Sequence, residues 1–195
     1  MSRIYFPVLV ATLALLPWTV AGAQTAAAGN APLYTDKGEL VPPPHYREWI
    51  YLSTGMNMSY IKRFKGMSHD MFSNVFVNPE AYHEFLHTGT WPDKTMLVLE
   101  VRGATNKGSI NKQGFYQNGE IMGLEVHVKD AARFQGGWAF FGDNDGKPEK
   151  RVPYTADCYA CHKAHAAVDT TFVQFYPTLL EVARKKGTLS AAYAP

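Results

Sequence analysis

The sequence predicts an α+β fold built on an antiparallel sheet. Three observations carry this reading. Residues 95–102 and 121–128 alternate apolar and polar side chains, the period-two signature of half-buried strands. Helix start and stop signals flank that region, at Asn78-Pro79-Glu80 and between Pro177 and Gly187. No internal repeat links the segments, so strands in the middle with helices at the edges point to one antiparallel sheet with a few helices.

The chain opens with Arg3, an apolar stretch over residues 4–20 and the small residues Ala21-Gly22-Ala23. That order predicts a secretory signal peptide over 1–23 and hence a periplasmic protein. The competing reading is a membrane anchor, but Pro7 and Pro17 interrupt the stretch, which is short for a span of about 20 residues. Residues 24–44 read as a flexible Pro/Ala-rich arm, with little fixed structure before Tyr34 and a stiff Pro42-Pro43-Pro44 at its end. Residues 45–190 remain for the folded domain. A formal charge of +2 gives no basic surplus for nucleic acid.

Residues 45–51 (HYREWIY) predict a short helix. Phe72, Val75, Phe76 and Val77 are strand-type residues. Asn78 then offers a cap, Pro79 suits a first turn, and Gly89 ends a helix whose stripe is Ala81, Tyr82, Phe85 and Leu86. In residues 95–102, Leu97, Leu99 and Val101 share one face; Met96, Val98, Glu100 and Arg102 share the other. Residues 103–119 are rich in Gly, Asn and Lys and predict a turn or long hairpin loop. The next strand, 121–128, has Glu125 and His127 on the face opposite Met122, Leu124, Val126 and Val128. Gly136-Gly137 leads into a strand at 138–141, and a polar loop at 143–150 follows. Asp157 is placed to cap a short helix, and Arg184, Lys185 and Lys186 suit the C-terminal dipole of a last helix over about 177–186.

The two cysteines, Cys158 and Cys161, lie too close to staple distant parts of a fold. With His162 they form Cys-Tyr-Ala-Cys-His, the attachment signature of c-type haem. On a helical turn, positions three apart share a face. Two thiols so placed can add to the two vinyl groups of one porphyrin edge, and the adjacent imidazole can reach the iron. A thioredoxin-like pair is the first competitor, but it belongs early in a βαβ unit, and this pair follows the strands. A zinc site using Cys158, Cys161, His162 and His165 is the second, and chance is the third. Haem c, one per chain with His162 on its iron, is the reading these residues favour.

No methionine follows His162; those after residue 23 are Met56, Met58, Met67, Met71, Met96 and Met122. A haem with one strong protein ligand leaves a face open to a small molecule. Phe72, Phe76, Phe115, Trp138, Phe140 and Phe141 are ordinary core residues or part of an apolar haem wall; Phe76, Trp138 and Phe140 are the wall candidates. Glu100 and Glu125 read as solvated strand residues or, if turned to the haem, as a general base. His127 and His165 carry the same two readings. Arg47 suits a haem propionate.

Over residues 46–187 the chain resembles the cytochrome P-460 family, which includes the cytochromes c′-beta. The resemblance rests on Tyr46-Arg47-Glu48-Trp49, Asn74-Val75-Phe76-Val77-Asn78, Trp91-Pro92-Asp93, Gly136-Gly137-Trp138-Ala139-Phe140, the haem motif, and Thr171-Phe172-Val173-Gln174-Phe175-Tyr176. It implies an antiparallel sheet over the open side of a five-coordinate haem, often in a homodimer. P-460 enzymes oxidise hydroxylamine and carry a lysine bond to the porphyrin; c′-beta members lack it and bind nitric oxide or carbon monoxide. Lys94, Lys107 and Lys112 are the nearest lysines, none within a strand pattern, so they read first as surface residues. The expectation is therefore nitric oxide or a similar small ligand at an open iron. The alternatives are hydroxylamine oxidation with a redox partner protein, or electron transfer with a sixth protein ligand.

Overall fold

A computed structural model describes residues 29–59, 70–143 and 146–193. The predicted leader, the first residues of the arm and Met67 lie outside the described residues. Five strands, β1 (Ile50–Met56), β2 (Met71–Val77), β3 (Met96–Thr105), β4 (Tyr116–Lys129) and β5 (Trp138–Asp143), pair antiparallel in chain order. Three helices, α1 (Pro79–Thr88), α2 (Asp157–His165) and α3 (Pro177–Lys186), complete the α+β fold.

Each face of the sheet packs its own core. One core holds Val77, Leu97 and Trp138 with Ala81 and Phe85 of α1 and Leu179 and Ala183 of α3. The other holds Met96, Val98, Val126, Val128 and Phe141 with Trp49 and Leu40. Register decides which residue meets which core: Leu99 pairs with Glu125, and Glu100 with Leu124. Because side chains alternate across a strand, Leu99 and Glu125 share the first face while Glu100 is on the second.

α1 runs as its signals predict, with Pro79 in its first turn and Gly89 closing it at φ 78. Asn78 differs from expectation. Its Oδ1 accepts from the Met96 backbone N–H at 2.8 Å instead of capping α1, so it ties the helix start to β3. Gly89 is also a close approach: a Cβ there would lie 2.7 Å from Lys186 Cβ. Its carbonyl accepts from Thr188 Oγ1 at 2.6 Å, which joins the ends of α1 and α3.

Three expectations are corrected. Residues 45–51 are not a helix: Tyr46–Glu48 make a single 3₁₀ turn, and Ile50 and Tyr51 open β1. Among the described residues β1 pairs with β2 alone, and a register shift between Tyr51 and Ser53 breaks its alternation. The hairpin loop is shorter than residues 103–119, because β3 runs to Thr105 and β4 begins at Tyr116. The arm contributes structure too: Leu40 is buried in the second core and bridges Tyr34 and Glu149.

Candidate functional site

The site lies between the first face of the sheet and the segment from α2 to Tyr176. α2 starts one residue earlier than its acid suggests. Ala156 is its N-cap, and Asp157 sits in its first turn, where a negative charge suits the dipole. Tyr159 fastens α2 to β5: its hydroxyl accepts from the Phe140 N–H at 3.2 Å and donates to the Val152 carbonyl at 3.0 Å. That leaves Cys158 and Cys161, three apart and both free, on the helix with His162 beside them.

His162 is held by the backbone. Its Nδ1 lies 2.7 Å from the Thr170 carbonyl. A carbonyl only accepts, so Nδ1 carries the proton and Nε2 is the nitrogen left for a metal. The ring packs against Phe172, Phe140 and His127 at centroid distances of 4.2, 4.6 and 5.3 Å. Burial lowers the pKa of His162 and outweighs the opposing Thr170 bond. A neutral imidazole is the form that ligates.

His162 lines a cleft of about 200 Å³ that opens to solvent. Val75, Leu97 and Leu99 supply an apolar wall from the sheet, Phe140 adds an aromatic one, and Phe172 and Phe175 face them from the chain after α2. Glu125 is the acid in the cleft lining. Its carboxyl has solvent access through the cleft, yet the partial burial around it raises its pKa.

His127, also in the lining, is 8% exposed. It stacks on Phe140 at 4.0 Å, and its Nε2 lies 3.3 Å from Thr170 Oγ1. Burial holds its pKa well below the ordinary histidine value, and His162 adds to the effect. Trp138 packs against His127 at 4.4 Å and supports that wall from the core.

Three predicted site residues are elsewhere. Glu100, Arg47 and Phe76 lie toward the second face, away from the cleft. Glu100 is 2% exposed and accepts from Arg102 Nε at 2.5 Å, Arg47 Nε at 2.7 Å and the Tyr46 hydroxyl. Burial opposes its charge, but these donors outweigh it and hold the carboxyl at about 2. It is therefore an anchor that is ionised at neutral pH and not a distal base. Arg47 is committed to Glu100, not to a propionate. Phe76 packs edge-on against Tyr46 and Tyr51 at 5.8 and 5.9 Å. The lysines also lie outside the cleft lining. Lys94 pairs with Asp130 at 2.6 Å, and Lys107 and Lys112 are exposed beyond the strand ends.

The geometry weighs on the competitors of the haem reading. A redox-active cysteine needs a depressed pKa, but burial raises that of Cys158. Among the described residues no three His, Cys, Asp or Glu side chains converge as metal ligands, so a four-ligand zinc set is not assembled. The fixed imidazole, the two thiols on one helix and the apolar cleft beside them fit a haem. Thr170 is the site member that sequence reasoning misses, because it acts through a backbone carbonyl. Phe172 and Phe175 had a signal in the aromatic run after the motif.

A family model described as Cytochrome P460 matches residues 43–173, more than half of the chain. No curated protein matches the chain significantly.

Proposed function

Because this chain belongs to the cytochrome P460 family of haem cytochromes, we propose that it is an exported monohaem c-type cytochrome that binds a small ligand such as nitric oxide. In this reading Cys158 and Cys161 carry the haem, and His162 ligates its iron through Nε2. The observation that carries it is the His162 Nδ1–Thr170 carbonyl contact at 2.7 Å beside an apolar cleft. When bound, the haem supplies an iron that takes small nitrogen oxides and exchanges electrons.

The chain's own residues do the rest. The Thr170 carbonyl fixes the tautomer and orientation of His162 and raises its basicity. Val75, Leu97 and Leu99 exclude water and favour a small uncharged ligand over an ionic one. His127 faces Thr170, so its Nε2 is engaged beside His162 and is not a free second ligand.

Glu125 favours a second reading, hydroxylamine oxidation with electrons passed to a partner redox protein. Its carboxylate opens into the cleft, and the raised pKa brings it nearer to the range of a working base. It would take the protons that substrate oxidation releases.

The test uses protein matured with haem in a periplasm. Nitric oxide binding with a high-spin resting spectrum, and a haem peptide limited to the Cys158–His162 segment, supports ligand binding. A lysine fragment joined to that peptide, with hydroxylamine-dependent reduction that E125Q abolishes, moves the assignment to oxidation. A colourless product rejects both.

A further inference from the structure

The turn that carries the Thr170 carbonyl is gripped by the sheet. Residues 168–171 close a tight turn in which the Thr171 N–H donates to the Val168 carbonyl at 2.9 Å. Asp169 stands in that turn at φ 52, a left-handed conformation that costs a non-glycine residue free energy. Something must hold it there. Lys129, in β4, donates from Nζ to Asp169 Oδ2 at 3.0 Å and to the Trp91 carbonyl at 2.7 Å. This ion pair lies at the edge of the surface, with the Lys129 and Asp169 side chains 21% and 31% exposed, so solvent screens part of it.

The other fastenings run to the same few residues. Trp91 Nε1 donates to Thr171 Oγ1 at 2.7 Å, and Thr171 Oγ1 donates to the Val168 carbonyl at 2.8 Å. His127, two residues before Lys129, meets Thr170 Oγ1. Strand β4 and the residues before β3 thus fix one backbone carbonyl, and that carbonyl accepts the His162 Nδ1–H.

We infer that Lys129 is a positioning residue for the haem iron: through Asp169 it sets how strongly His162 donates. This rests on the reading that His162 ligates the iron. A firmly held carbonyl pulls on the Nδ1 proton and makes Nε2 a stronger donor. Stronger donation stiffens the iron–histidine bond and favours the ferric state, so loosening the turn reverses both effects. Nothing in this depends on Lys129 touching the cofactor, and it is absent from the cleft lining.

The experiment compares haem-loaded wild type, K129M, K129R and D169N. Asparagine tolerates the left-handed region, so D169N keeps the turn while removing the charge and guards against misfolding of K129M. Resonance Raman spectra of the ferrous proteins read the iron–histidine stretching band, and a redox titration reads the midpoint potential. The expected result is a lower stretching frequency and a higher potential in K129M and D169N, with K129R close to wild type. An unchanged band and potential in both K129M and D169N, whatever their melting temperatures, overturns the inference. A wild-type protein without an iron–histidine band overturns the His162 assignment itself, and the inference with it.

Discussion

E100Q separates a structural acid from a functional one. Glu100 is buried among Arg102, Arg47 and Tyr46, and its pKa is about 2 against an ordinary 4.5. At about 1.36 kcal/mol per pH unit, that difference is worth roughly 3 kcal/mol. The sign follows from linkage: a depressed carboxyl stabilises the fold above its unfolded pKa and loses that contribution as pH falls through the folded one. Glutamine keeps the shape and removes the charge. The expected cost is about 3 kcal/mol at pH 7, shrinking to about 1.4 kcal/mol at pH 3. Urea unfolding of the haem-loaded proteins, followed by circular dichroism at pH 7, 4.5 and 3, reads the gap directly. Nitric oxide binding by E100Q should match wild type within about twofold, because the carboxylate lies toward the other face of the sheet. A gap that stays constant over that pH range refutes the electrostatic argument. A large loss of ligand binding at unchanged stability refutes the placement of Glu100.

Further outcomes follow from the same structure. E125Q should gain stability at neutral pH, because burial raises this carboxyl and its charged form opposes folding. The gain should grow as pH rises above the ordinary carboxyl value, and a urea midpoint series checks it. The double variant C158A/C161A should release its haem into acid–acetone, whereas the wild-type haem stays with the protein; spectra of the two phases decide. Phe85 is fully buried between α1 and the sheet core, so F85A should cost about 3–5 kcal/mol in chemical unfolding.

The regular elements were legible where local signals agreed. α3 runs from Pro177 to Lys186, with Gly187 left-handed at φ 69, as proline, basic last turn and glycine predict. β3 and β5 followed from alternation and from Gly136-Gly137. β1 was hidden because Ser53, Thr54 and Gly55 carry no apolar alternation, and its role as a strand comes from pairing with β2.

The cysteine–histidine motif was visible in the sequence and its surroundings were not, and register is the reason. Glu100 and Glu125 look equivalent in sequence, each an acid inside a strand. Pairing of Leu99 with Glu125 sends one acid to the cleft and the other to the arginines. Phe76 and Phe140 divide for the same reason. The Thr170 carbonyl had no signal at all, since any residue supplies one; the fold puts it 2.7 Å from His162.

The central claim is an iron porphyrin held from one side by His162 and open on the other. The electron paramagnetic resonance spectrum of the ferric, haem-loaded protein tests it most directly. A high-spin signal that nitric oxide removes is the predicted result. A low-spin signal indifferent to nitric oxide would mean that a second side chain already occupies the iron, and would contradict the claim.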